Sequence, residues 1–131
     1  MKNEGESFKM NLRSFQLSDC EKVTNLLKEV LSDTCFKKTI KVFSKQLSYD
    51  SELVIIAEND SEVAGVIIGS IENKQGLFIL VEDPSYTHNE VGKKMVKKLR
   101  ERFVQRKVKE MNVTMHDIQI EESHQIDSVC S

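Results

Sequence analysis

The chain has 131 residues, which suits one domain with a modest core and leaves little room for a second. Apolar residues make up 39% and charged residues 31%, too apolar a balance for a chain disordered throughout. The formal charge of −2 argues against a general nucleic-acid binder; no apolar run nears the ~18 residues of a membrane span, and polar Met1–Met10 has no secretory core.

Residues 1–7 and 121–131 are polar and read as tails on a single domain spanning 1–131. Phe8–Phe15 alternates, with Phe8, Met10 and Leu12 on one side, which is a strand pattern. Ser18 or Asp19 can cap a helix whose apolar stripe is Val23, Leu26, Leu27, Val30 and Leu31. Asp33 or Thr34 can cap a second, with Phe36, Ile40, Phe43 and Leu47 at helical spacing. Leu53–Glu58 and Glu62–Ile71 read as a hairpin about Asn59-Asp60. Gly65 and Gly69 inside the second strand indicate close backbone approach or a bulge. Gly76–Val81, apolar on both faces, reads as a central strand. From Asn89 a long helix carries Val91, Met95, Val96, Leu99, Phe103, Val104 and Val108 on one stripe. Met111–Ile120 reads as the last strand, with its alternation slipping near His116-Asp117 as at a bulge. The predicted class is α+β: a mostly antiparallel sheet flanked by helices, ending in a parallel crossover.

The net charge hides an uneven distribution. Residues 1–75 carry ten basic and twelve acidic side chains; 76–92 carry none and three; 93–109 carry nine and one; 110–131 carry none and five. The basic block surrounds the long helix's stripe and reads either as a solvated face or as a surface for an acidic partner or the acidic tail. Lys93 and Lys94 stand nearest the helix start, where they could draw in a phosphate. Cys20, Cys35 and Cys130 form no CxxC pair and read as reduced cytosolic thiols, with neither a disulfide framework nor a metal site. Cys20 and Cys35 stand at helix starts, yet no His partner is placed beside them.

Three segments, in this element order, resemble the GNAT acetyltransferase family over roughly residues 8–110. Leu12-Arg13 followed by Asp19 resembles its opening strand and helix start. Val54–Glu58, a turn, then Val63–Ile67 resembles its hairpin, and Pro84–Lys93 resembles its acyl-CoA loop. The resemblance implies a GNAT-like fold that uses acetyl-CoA as co-substrate to acylate a primary amine, on a small molecule or a protein. It implies that Thr87, His88, Asn89, Glu90, Val91, Gly92 and Lys93 hold the nucleotide. The physical basis is the free N–H groups and partial positive charge of a helix's first turn.

The sequence departs from that family at several points. The loop pattern is Gln/Arg-x-x-Gly-x-Gly/Ala, and here Thr87, Glu90 and Gly92 stand at those three positions. Glu90 in the first turn is expected either to swing outward or to serve as the helix's own anion, with Asn89 as N-cap. Glu82 replaces an apolar residue two positions before Pro84. The family's C-terminal half, a helix, two strands and often an acid Tyr, is expected to be truncated or supplied by a second copy, so a homodimer is an expected state. Amine acylation needs a base. Glu82 and Glu72 are candidates, with Asp83 and His116, though residues so placed are more often solvated surface groups; the catalytic residue is left unassigned. A non-catalytic GNAT-fold binding or regulatory module is the competing expectation. The expected location is cytoplasmic, without membrane or nucleic-acid partners.

Overall fold

The computed structural model describes residues 10–108 and 110–115, with backbone alone at 87–89 and 112–115. Five strands, β1 (Asn11–Ser14), β2 (Val54–Asn59), β3 (Glu62–Glu72), β4 (Gln75–Glu82) and β5 (Glu110–Met115), form one sheet in sequential order. The first four run antiparallel, and β5 runs parallel to β4. Helices α1 (Cys20–Val30) and α2 (Asp33–Tyr49) cover one face, and α3 (Val91–Gln105) covers the other. The predicted α+β class, with a mostly antiparallel sheet flanked by helices, is the architecture observed.

The sheet separates two cores, and β2, β3 and β4 feed both. Val54 and Ile56 of β2, Val66 and Ile68 of β3, and Ile79 and Val81 of β4 pack with Val23, Leu27 and Phe43 under α1 and α2. Their neighbours Ile55, Ala57, Ile67 and Phe78 pack with Val91, Met95, Leu99 and Phe103 of α3. Burial on both faces explains why these strands read as apolar runs rather than clean alternations.

The glycines serve packing. A methyl group built on Gly69 would lie 2.8 Å from Leu99 Cδ1, and one on Gly76 would lie 2.6 Å from Phe103 Cε2. At Gly65 it would lie 3.3 Å from Met95 Sδ. Met95, Leu99 and Phe103 are one helical turn apart, so the glycines form a bed that lets α3 lie close to the sheet. The turns are built from other residues. Asp60 and Ser61 join β2 to β3, and Asn73 and Lys74 join β3 to β4, all four at positive φ as a two-residue type I′ connection needs. Lys107, also at positive φ, closes α3. Its N–H bonds Val104 O, and the Val108 N–H bonds Phe103 O, the Schellman pattern. No described glycine has a positive φ.

Two ion-pair clusters tie distant segments together. Arg13 binds Asp19 through two 2.8 Å bonds and reaches Glu58 at 3.1 Å. Asp19, 4% exposed, also accepts from the Gln16 N–H at 2.7 Å, which sets the turn into α1. The Arg13 guanidinium holds the Asp19 and Glu58 carboxyls below the usual carboxylate range, and they raise Arg13 in turn. In the second cluster, Arg106 binds Asp50 at 2.6 Å and Glu52 at 3.1 Å, and Asp50 above all raises it. Arg102 donates to Ser14 Oγ at 2.8 Å and to the Glu52 carbonyl.

These contacts correct several expectations. Arg102 and Arg106 are spent inside the fold, joining α3 to the turn after α2, so only the rest of the basic block is open to an outside partner. The N-cap of α2 is Ser32, whose Oγ accepts from the Cys35 N–H, rather than Asp33 or Thr34. The long helix begins at Val91 rather than Asn89, because Pro84–Asn89 winds as a 3-10 turn and Glu90 is left-handed. The slip in β5 falls at Thr114, between the pairs Phe78–Val113 and Ile79–Met115. The site expected for it, His116-Asp117, lies outside the described residues. Cys20 is a free, exposed thiol. Cys35 is buried and disulfide-bonded, contrary to the expectation of reduced thiols, with its partner outside the described residues.

Candidate functional site

The end of β4 and the start of α3 make the site. β4 pairs with β3 as far as Glu82, but its described pairing with β5 stops at Ile79. The connection to α3 is held at both ends. The Asp83 N–H bonds Ala64 O at 2.8 Å, and the Asp83 carboxylate caps the 3-10 turn by accepting from the Ser85 N–H at 2.9 Å. Asn59 at the end of β2 donates to the Tyr86 hydroxyl at 3.2 Å. Pro84, with its fixed φ, opens the turn.

Of the seven residues expected to hold a nucleotide, Thr87, His88 and Asn89 form the last part of the 3-10 turn, where only backbone is described. Glu90 is the N-cap of α3, and Val91, Gly92 and Lys93 are its first turn. The structure thus brings all seven to one corner. Glu90 takes φ 58° and ψ 25°, the left-handed conformation that glycine adopts freely, at the position where the family pattern has glycine. The loop keeps the glycine backbone without the glycine. Glu90→Gly is expected to raise stability by about 1 kcal/mol by removing the side chain's steric penalty. Equilibrium denaturation checks this, and an unchanged or lower midpoint would count against it.

Glu90 makes no side-chain capping bond and is exposed. The carboxylate at the helix start belongs to Glu82. It is 9% exposed, and its Oε2 lies against Gly92 so closely that a methyl group there would overlap it. That methyl would also lie 3.1 Å from Glu82 Cδ and from Leu80 Cδ2. The acidic side chain packed against the first turn is thus one from upstream in the chain rather than Glu90. The alternation of β4 explains it: Phe78, Leu80 and Glu82 share the face that α3 covers. Leu80, Glu82, Gly92, Lys93, Val96 and Arg100 line an open cleft of about 450 Å³. Its walls are apolar, and two cations stand at its side. Leu80, Val96 and Arg100 carry no motif signal; only strand alternation and helical spacing could have picked them out.

The other base candidates lie elsewhere. Glu72 is exposed at the far end of β3, opposite Gln75, whereas Glu82 faces Gly65. Asp83 turns toward α1, where it lines a separate shallow cleft with Lys22, Glu29 and Glu62. His116 lies outside the described residues. Among those described, no group of three or more His, Cys, Asp or Glu side chains is placed to hold a metal ion, and no helix is long and apolar enough to cross a membrane.

The family model of the acetyltransferase (GNAT) domain matches residues 16–121. The chain belongs to the GNAT acetyltransferase family. No curated protein matches the sequence. Solved structures share the fold at low identity. The PaiA N-acetyltransferase of Thermoplasma acidophilum, in complex with coenzyme A, is 18% identical over 80% of this chain and 78% of its own, with a TM-score of 0.65. A predicted acetyltransferase of Clostridium acetobutylicum, with acetyl-CoA, is 15% identical over 79% of each chain, with a TM-score of 0.59. The glucosamine-6-phosphate N-acetyltransferase of Arabidopsis thaliana is 16% identical over 92% of this chain and 90% of its own, with a TM-score of 0.55. In this GNAT domain the family model spans the corner just described.

Proposed function

We propose that this GNAT domain is an N-acetyltransferase that moves an acetyl group from acetyl-CoA to a primary amine. One observation carries the reading. The first turn of α3 opens beside the C-terminal end of β4, and an apolar cleft flanked by Lys93 and Arg100 lies between them. Leu80 and Val96 offer apolar walls to a pantetheine arm, and the two cations can face its phosphates. The two solved relatives whose descriptions name coenzyme A or acetyl-CoA support the choice of donor. The thioester supplies the activated acyl group; the protein's share is to hold it while an uncharged amine attacks. Glu82, which lines the cleft, remains the proposed base, and Glu72, at the far end of β3, does not.

A second reading has its own observation. The Glu82 carboxylate already stands at the first turn of α3, as it would in a domain that binds a protein and no longer takes a nucleotide. Calorimetric titration with acetyl-CoA separates the two. Saturable binding, lost in a folded Gly92→Trp variant that places bulk against Glu82 and Leu80, is the result expected of the transferase. Absence of binding at millimolar acetyl-CoA overturns that reading for the native chain.

A further inference from the structure

We propose that the C-terminal segment, residues 116–131, docks along α2 in the groove between that helix and the far ends of β3 and β4, and that Cys130 fastens it there by a disulfide to Cys35. The groove lies on the face of the sheet opposite α3, so the proposal is independent of the acetyl-donor reading.

Cys35 is disulfide-bonded, and the chain has three cysteines. Cys20 is a free, exposed thiol, which leaves Cys130 as the partner. Forming the bond takes two electrons and two protons from the two thiols; a disulfide oxidant such as oxidised glutathione accepts them and leaves as two thiols. Cys35 also marks where the segment runs. Cys35, Thr39, Val42, Gln46 and Tyr49 are spaced alternately by four and three residues, so they share one stripe of α2. Val42, Lys45 and Tyr49 wall a groove of about 270 Å³ with Ile71, Leu77 and Ile79 of the sheet. Two of its apolar walls stand open, Tyr49 at 81% exposure and Ile71 at 37%. β5 ends at Met115, which pairs with Ile79, so the chain leaves the described sheet at the wall of this groove. From Met115 to Cys130 an extended chain reaches up to about 50 Å, against about 21 Å for the whole stripe from Cys35 to Tyr49. The charges match as well. α2 carries Lys37, Lys38, Lys41 and Lys45 against Asp33, whereas the segment carries Asp117, Glu121, Glu122 and Asp127 and no Lys or Arg. Glu72 is the acid among the groove's walls, and the lysines of α2 outnumber it. Ile118, Ile120, Ile126 and Val129 give the segment apolar side chains to bury there.

The test uses the full chain, purified without reductant, exposed to oxidised glutathione, blocked with N-ethylmaleimide in denaturant and digested with trypsin. Cleavage after Lys and Arg puts Cys20, Cys35 and Cys130 on three peptides, 14–22, 29–37 and 110–131. The expected result is a monomer in which 29–37 is joined to 110–131 and Cys20 carries the maleimide. Maleimide on both Cys35 and Cys130, a link that joins Cys20 instead, or a link found only in a covalent dimer overturns the proposal. Docking has its own readout, because a tether alone would hold the end of the segment and leave the rest unprotected. Hydrogen exchange read by mass spectrometry compares the oxidised native chain with Ile71→Glu, which puts a charge of the segment's own sign into the groove. Amides of 117–129 are expected to exchange about tenfold or more faster in the variant, with those of α3 unchanged. Lys45→Glu, at an exposed position of α2, takes its place if circular dichroism shows Ile71→Glu unfolded. Equal exchange of 117–129 in the native chain and the folded variant overturns the docking, even with the disulfide in place.

Discussion

Gly76→Val is expected to lower the stability of the folded protein by about 3 kcal/mol, at the upper end of what overpacking a core usually costs. The ring of Phe103, 1% exposed, lies across Gly76, where a Cβ would stand 2.6 Å from Cε2 and 2.7 Å from Cδ2. The same ring also lies close over Gly69, where a Cβ would stand 3.1 Å from its Cζ. Val adds two further methyl groups, so either α3 lifts from the sheet or the ring leaves its rotamer. Urea denaturation measures the loss. The account also requires coupling. Gly76→Ala and Phe103→Leu made together should cost clearly less than the sum of the two alone, since the smaller side chain makes room for the methyl. Strict additivity would show that the ring and the glycine are not in the contact described. Gly65→Ala is the milder contrast, because a Cβ there would come no closer than 3.3 Å to its nearest neighbours, Met95 Sδ and the Val81 carbonyl oxygen.

Asp19→Asn is expected to cost about 2 kcal/mol at neutral pH. Breaking a buried pair by removing one partner costs roughly 3–5 kcal/mol. The value here is lower because Arg13 is 23% exposed in its side chain and keeps Glu58. The loss has a pH signature. Arg13 holds the Asp19 carboxyl below the usual carboxylate range, so the native state keeps that charge to lower pH than the unfolded chain does. The stability it contributes is fully present above the unfolded value of about 4 and is lost as pH falls through the lower native value. The native chain should therefore lose stability on acidification more steeply than Asp19→Asn, and the two curves should converge in acid. Parallel curves across that range would show that the Arg13–Asp19 pair contributes nothing through ionisation.

Much of this was legible in the residues. The β-branched runs around Asn59-Asp60 and the seven-residue stripe from Val91 to Val108 announced the hairpin and the long helix, since both signals are local. The close approach at Gly65 and Gly69 was legible too, because a glycine inside an apolar strand has few other uses. What could not be read was pairing at long range. Arg102 and Arg106 look like any lysine-flanked helical arginine, and only the fold brings Asp50 and Glu52 to them. The candidate site divides the same way. The corner from Thr87 to Lys93 followed from its resemblance to a known loop. The anion at its centre did not, because proximity in sequence favoured Glu90. The left-handed turn sends Glu90 out to solvent, while the pleat of β4 carries Glu82 in.

The placement of glycine has a consequence for how this chain tolerates change. In many folds the tight turns are the positions where one residue type is mandatory and the strand interiors accept a range of apolar side chains. Here the distribution is reversed. The turns at Asp60-Ser61 and Asn73-Lys74, the entrance to α3 at Glu90 and its exit at Lys107 all keep left-handed backbones under ordinary side chains. Gly69 and Gly76, in the floor of the sheet, have no room for even a methyl group. The substitutions that cost this protein most should therefore trace a line beneath α3, and the bends should tolerate any residue that accepts a left-handed backbone.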